Sequence, residues 1–212
     1  VRIAALNSLR KQALLAQHVV ARLEDSDAHV REIALEMLGT MLEPLALHAG
    51  AVASRLEDSD DLVRYMALMT LSKLKPAALT RHADAVASRL VESGPGVRST
   101  ALRTLRKLNK TTLSSHADAV VAMLSDSDPS VRADALATVG NLKLATLTQH
   151  AEVVAAGLED GFHYLRSAAV LTLRKLKPAV LADVVVPRLE HSSLQVRIAA
   201  LNSLRKQALL AQ

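Results

Sequence analysis

Apolar residues along this chain fall at helical spacing in two stripes, and the pair of stripes recurs. In the clearest copy Leu79, Ala83, Val86 and Leu90 lie three or four residues apart, and Val97, Ala101, Leu105 and Leu108 repeat the pattern. Each stripe predicts one amphipathic helix, A and then B, with charged and polar residues on the opposite face. The stripes are parted by Ser93-Gly94-Pro95, and in other copies by Asp-Ser-Asp at 25–27, 58–60 and 126–128. Asp128, followed by Pro129, is placed to accept a backbone N–H of the first turn of helix B, and a proline at the next position gives up no hydrogen bond. Helix B is expected to stop near Pro44, Pro76 or Pro178, where the ring and its restriction on the preceding residue interrupt the helix. Lys110 and Leu144 hold that place in two copies, so their turns rest on other signals.

The opening of helix B sets the register. Val-Arg occurs at Val30-Arg31, Val63-Arg64, Val97-Arg98, Val131-Arg132 and Val196-Arg197, with Leu165-Arg166 between the last two, in steps of 33, 34, 34, 34 and 31 residues. Self-similarity at this period means stacked units, each too small to bury its apolar face alone, so the product is an extended surface. We therefore expect one continuous domain over 1–212. It would open with a lone helix B at 1–14 and continue in repeats at about 15–42, 45–75, 79–109, 113–143, 147–177 and 179–209.

Composition narrows the chemistry. Half of the residues are hydrophobic, yet there is one Phe, two Tyr and no Trp, so the core is aliphatic. Apolar runs are too short for a membrane span of about 20 residues, and no signal-peptide pattern opens the chain. With no cysteine, disulfides and thiolate sites are excluded, and a cytoplasmic-type soluble protein is expected if the chain is natural. The net charge of +5 is mild beside the dense basic runs that favour nucleic acid.

The paired stripes, the turn Asp, Val-Arg opening helix B and Pro before helix A together resemble HEAT repeats over the whole chain. The chain thus reads as all-α, a right-handed α-solenoid of stacked HEAT-like helix pairs. The resemblance implies that an Asp at the turn and an Arg six residues later form a ladder between neighbouring units. Asp25 and Arg31, Asp58 and Arg64, Asp126 and Arg132, and Asp160 and Arg166 keep that spacing; Glu92 with Arg98 substitutes, and His191 with Arg197 departs from it. Read from the residues alone, the same pairs are also consistent with a cap and a solvated cation. HEAT-like repeats serve transport, scaffolding and regulation, so the likeness specifies architecture more than activity.

Residues 1–17 and 196–212 are identical, while internal copies have diverged. Either an engineered shared helix or excision from an array with a 195-residue unit would explain this. Both imply head-to-tail continuity, and the terminal faces carrying Ile3, Leu6, Leu9, Ile198, Leu201 and Leu204 suit either head-to-tail self-association or a monomer whose shared segment was simply convenient.

A basic stripe is the sharpest candidate for a ligand. Lys73, Arg103, Arg106, Lys107, Lys110, Arg174 and Lys175 gather near the ends of successive B helices, and would suit an acidic peptide or a nucleic-acid backbone. The same cations complement the helix dipole, and Gly39 and Gly140 interrupt the row. Nucleic acid is further disfavoured by the scarcity of aromatics for base stacking. His48, His82, His116 and His150 recur at the start of helix A, without the second pair of ligands that a zinc site needs, so no metal is assigned. Phe162, His163 and Tyr164 replace the usual turn residues, either as a contact hot spot or as seam packing. No phosphate loop, nucleophile elbow or isolated carboxylate pair is present, hence no cofactor and no enzymatic activity are expected. The leading reading is a protein- or peptide-binding scaffold or structural building block, engineered or recombined. An anion-binding module is the alternative.

Overall fold

The computed structural model describes residues 2–92 and 94–210, and the side chains of 11, 13–41, 43–92 and 94–205. Among the described residues every regular element is helical. The chain divides into two compact units, 1–108 and 109–212.

The first unit contains α1 (Arg2–Ala21), α2 (Ala28–Thr40), α3 (Leu42–Ser54), α4 (Asp61–Leu71), α5 (Pro76–Leu79), α6 (Ala83–Ala87) and α7 (Pro95–Leu105). The second contains α8 (Lys110–Ser114), α9 (Ala117–Ala122), α10 (Pro129–Val139), α11 (Leu144–Gln149), α12 (Ala151–Ala156), α13 (His163–Leu173), α14 (Pro178–Val185) and α15 (Leu194–Leu210). Helix B corresponds to α2, α4 and α7 in the first unit and to α10, α13 and α15 in the second. Both predicted stripes of the 79–108 copy are buried throughout, so each unit closes an aliphatic core between its own helices and the neighbouring helix B.

The turn chemistry works as the residues suggest. Asp27, Asp60 and Asp128 each accept two backbone N–H groups at the start of α2, α4 and α10. Pro76 and Pro178 occupy the first position of α5 and α14. Where no proline stands, Asn109 caps α8 through the N–H groups of Thr111 and Thr112, and Lys143 before α11 donates its own N–H to Ser114 Oγ at 3.0 Å.

Two expectations need correction. Helix A is not one helix in every copy. It breaks at His82, His116 and His150, whose ψ angles of 11 to 17° lie outside the helical range, but runs unbroken through His48 in α3. Two residues before each broken histidine stands Thr80, Ser114 or Thr148, against Ala46 in the unbroken copy. Thr80 Oγ1 donates to the Pro76 carbonyl at 3.0 Å, whereas Ser114 Oγ accepts the Lys143 N–H. The second correction concerns the boundary placed between residues 14 and 15. α1 continues to Ala21, because the segment Gln12 to His18 contains no proline, glycine or capping residue. The same residues in α15 carry that helix to Leu210, while α4, α7 and α13 stop at Leu71, Leu105 and Leu173.

Candidate functional site: the seams and the helix B face

Functional side chains divide into those spent in the seams between successive hairpins and those left on the exposed face of helix B. In each B helix the Arg after Val or Leu lies along its own turn. Its Nη1 donates to the carbonyl six residues back: Arg31 to Asp25, Arg64 to Asp58, Arg98 to Glu92, Arg132 to Asp126, Arg166 to Asp160 and Arg197 to His191, at 2.7–2.8 Å. The six-residue spacing is therefore a backbone contact inside one hairpin. The ladder uses the guanidinium's other edge. Arg31 Nε and Nη2 grip both carboxylate oxygens of Asp58 in the next hairpin at 2.8 and 2.6 Å, and Arg132 grips Asp160 at 2.7 and 3.3 Å.

These pairs are sheltered, with the Arg31 and Asp58 side chains 9% and 4% exposed. Burial by itself would push the Asp58 carboxyl up, but the hydrogen bonds from Arg31 and the Asp60 N–H, with the charges of Arg31 and Arg55, hold it below its ordinary value. Asp160 is depressed in the same way, burial being outweighed by Arg132, the Phe162 N–H and the Arg166 charge. Correspondingly the hydrogen bond to the carboxylate raises Arg31 and Arg132. Glu92 is not a neutral replacement for Asp. It reaches Arg64 only at Nη2, 3.3 Å away, and Arg64 Nε is left buried without a partner.

Three further seam devices carry signals visible in the sequence that the spacing of Asp and Arg alone does not expose. Arg55 and Arg89, three residues before Asp58 and Glu92, donate to the Leu23 and Leu56 carbonyls of the preceding hairpin at 2.9 Å and pair with Glu24 and Glu57. Arg188 in the second unit pairs with Glu152 and Glu159, but its Nη1 donates to the Val184 carbonyl of its own hairpin at 2.6 Å. Thr70, Thr104, Thr138, Thr172 and Ser203 recur at one position of helix B and are buried. Thr70 donates across the seam to the Leu35 carbonyl at 3.0 Å, and the others to carbonyls one turn back. The third device absorbs part of the basic stripe. Lys107 donates to the Ser72 carbonyl and Lys175 to the Gly140 carbonyl, capping the preceding B helix. A Cβ added to Gly39 or Gly140 would lie 2.7 or 2.9 Å from the Lys73 or Lys175 amine, so the glycines that interrupt the row are the seats of these lysines. Arg174 donates to the Asn202 carbonyl at 3.1 Å. Arg103, Arg106 and Lys110 lie on exposed positions.

The helix B face itself is mixed. In the first unit it presents Ile33, Met37 and Met69 beside Glu36 and Arg103, and in the second Leu171, Ile198 and Asn202. Phe162 is 48% exposed, packed 5.7 Å from the Tyr164 ring and beneath the Arg132 guanidinium, 5.9 Å away. Its ring thus leans on a seam cation while remaining open to solvent. His150 faces Asp118 of the preceding hairpin at 3.5 Å, and burial, with the nearby Arg81 charge, lowers His82. Of the residues assigned to terminal contact, Ile198 and Leu201 are exposed and Leu204 is half-buried, while the side chains of Ile3, Leu6 and Leu9 lie outside the described residues. Among the described residues no helix is long and apolar enough to cross a membrane.

Residues 16–106 match a family model described as HEAT repeats. No curated protein matches the chain. The fold is shared with solved repeat proteins at low identity. An engineered protein is 14% identical with a TM-score of 0.67, covering 92% of this chain and 96% of that one. A designed armadillo repeat protein in complex with the peptide (KR)4 is 15% identical with a TM-score of 0.69, over 89% and 97%. A third, from computationally designed armadillo repeat proteins for modular peptide recognition, is 16% identical with a TM-score of 0.67, over 89% and 98%. The broken helix A of three copies, giving three helical pieces per repeat, fits this mixed likeness.

Proposed function

We propose that this HEAT-like α-solenoid is a non-enzymatic scaffold that binds protein or peptide segments on its helix B face. One observation carries the reading: recurrent polar residues are consumed in the seams, whereas the variable positions of helix B remain exposed. An apolar and methionine-bearing face with scattered charge adapts to partner side chains at low cost. The designed relatives lend support, since one of them holds a peptide. The regular period across 1–212 supports one continuous array of this kind.

The test is selection of peptides against the immobilised chain, followed by titration of the strongest binder. Substituting Ile33, Met69 and Leu171 by Glu is expected to weaken binding at least tenfold, with the unfolding midpoint unchanged. Binding that survives all three substitutions would place the partner elsewhere. The basic stripe stands second as a binding surface, because Lys107 and Lys175 already donate to backbone carbonyls.

We further propose head-to-tail self-association, supported by the identical 17-residue segments and by Leu201. That residue is 59% exposed, while its counterparts Leu35, Leu68, Leu102, Leu136 and Val170 are buried. Light scattering over a concentration series should give masses above 22.7 kDa that fall to monomer on Leu201→Glu. A monomer at every concentration would refute association.

A further inference from the structure

The ladder of Arg forks fails at one step in the second unit, and we propose that this failure makes Arg166 a receptor for a carboxylate of a partner peptide, held in the groove between α13 and α15. Arg166 is seated like its counterparts, with Nη1 donating to the Asp160 and Gly161 carbonyls at 2.8 and 3.0 Å, as Arg132 does to Asp126 and Ser127 at 2.8 and 3.1 Å. The remaining edge, Nε and Nη2, is the one that grips Asp58 from Arg31 and Asp160 from Arg132. Where the next hairpin should offer a carboxylate, it offers His191.

His191 keeps only half of the Asp role. Its Nδ1 accepts the Ser193 N–H at 3.0 Å, as Asp58 Oδ1 accepts from Asp60 at 3.1 Å and Asp160 Oδ1 from Phe162 at 2.9 Å. With Nδ1 accepting, the ring proton sits on Nε2, which is a donor and cannot receive an Arg fork. Among the described residues nothing else accepts from Arg166 Nε or Nη2. Neither atom is among the fully buried unpartnered ones, which are Arg55 Nε and Arg64 Nε, so both keep some access to solvent, and Arg166 is half-buried.

Arg166 lines a groove of about 90 Å³ with His163, Val170, Gln195, Ile198 and Asn202, and no acidic residue lines it. A planar fork with two parallel donors matches a carboxylate held side-on, the geometry that this fold already uses at Arg31 and Arg132. Val170 and Ile198 supply an apolar wall for an aliphatic neighbour, and Gln195 and Asn202 supply amides for a peptide backbone. The ligand is therefore an extended peptide presenting a carboxylate next to an aliphatic residue. This deepens the scaffold reading and rests on it for the partner's nature.

The experiment follows the Arg166 side-chain Nε–H resonance by NMR. Acetate probes the fork alone, and chloride at equal ionic strength is the control. Two short peptides then distinguish the source of the carboxylate: one with an internal Glu beside Leu and an amidated end, the other with Gln in its place and a free C-terminus. We expect a saturable shift with acetate, none with chloride, and at least tenfold tighter binding of whichever peptide carries the preferred carboxylate. His191→Asp should complete the ladder internally, raise the unfolding midpoint and weaken acetate and peptide at least tenfold, so loss of binding there cannot reflect misfolding. No saturable response to acetate, or unchanged acetate binding in His191→Asp, would overturn the fork. A response to acetate with neither peptide tighter than acetate would overturn the peptide partner alone, while leaving the wider scaffold reading to its own titration.

Discussion

Asp58 shows how much one residue does in this architecture. It caps its own turn through the Asp60 N–H and receives both donors of Arg31 from the preceding hairpin. Replacing it by Asn would leave a buried guanidinium without its charge partner, and we expect a loss of about 3 kcal/mol in urea denaturation at neutral pH. The pH dependence has a definite sign. Because the folded Asp58 and Asp160 carboxyls titrate below their unfolded value, near pH 3.9, their contribution is present above that value and is lost as pH falls through the folded pKa. Asp58→Asn should therefore be most damaging at neutral pH, with the gap to the parent chain closing in acid. A gap that widens on acidification would contradict the assigned ion pair. The spacing of Asp and Arg located these residues but not their partners. A separation of six is satisfied by a backbone carbonyl within one hairpin, while the carboxylate pairing runs over 27 or 28 residues and needs the stacked geometry.

Among the elements, helix B was legible from its stripe, its Asp cap and its Val-Arg opening, because all three act within one turn. Helix A was less so. Its breaks at His82, His116 and His150 interrupt a continuous apolar stripe, so the periodicity conceals them. The seams were least legible, since a recurring Lys near a helix end reads equally well as a solvated cation until its carbonyl partner in the preceding helix is in place. Glycines test the packing of these elements. Gly50 lies within α3 with open space where a Cβ would stand, so Gly50→Ala should stabilise by about 0.5–1 kcal/mol through lower chain entropy and better helix propensity. Gly157 follows α12, and an added Cβ would meet the Ala169 Cβ at 3.1 Å. Gly157→Ala should bring no such gain in thermal denaturation and should lower the midpoint. Equal stabilisation at both positions would show that α12 packs less closely on α13 than the structure indicates.

For the whole molecule, the proposed function follows from the same division of labour. Residues that recur with the period hold hairpins together, and the residues that vary on helix B are the ones the proposal assigns to a partner. The basic stripe shows what the sequence leaves open at this scale: a row of cations near helix ends is common to a ligand surface and to internal capping, and the carbonyls of Ser72 and Gly140 engage Lys107 and Lys175 while Arg103, Arg106 and Lys110 keep exposed positions. The most direct test is amide chemical-shift mapping of the 22.7 kDa chain with its strongest selected peptide. Perturbations concentrated on the exposed positions of α2, α4, α7, α10 and α13, with the Arg31 and Asp58 seam unchanged, are the predicted result. Perturbations confined to the helix A side, or spread through the seams, would contradict it.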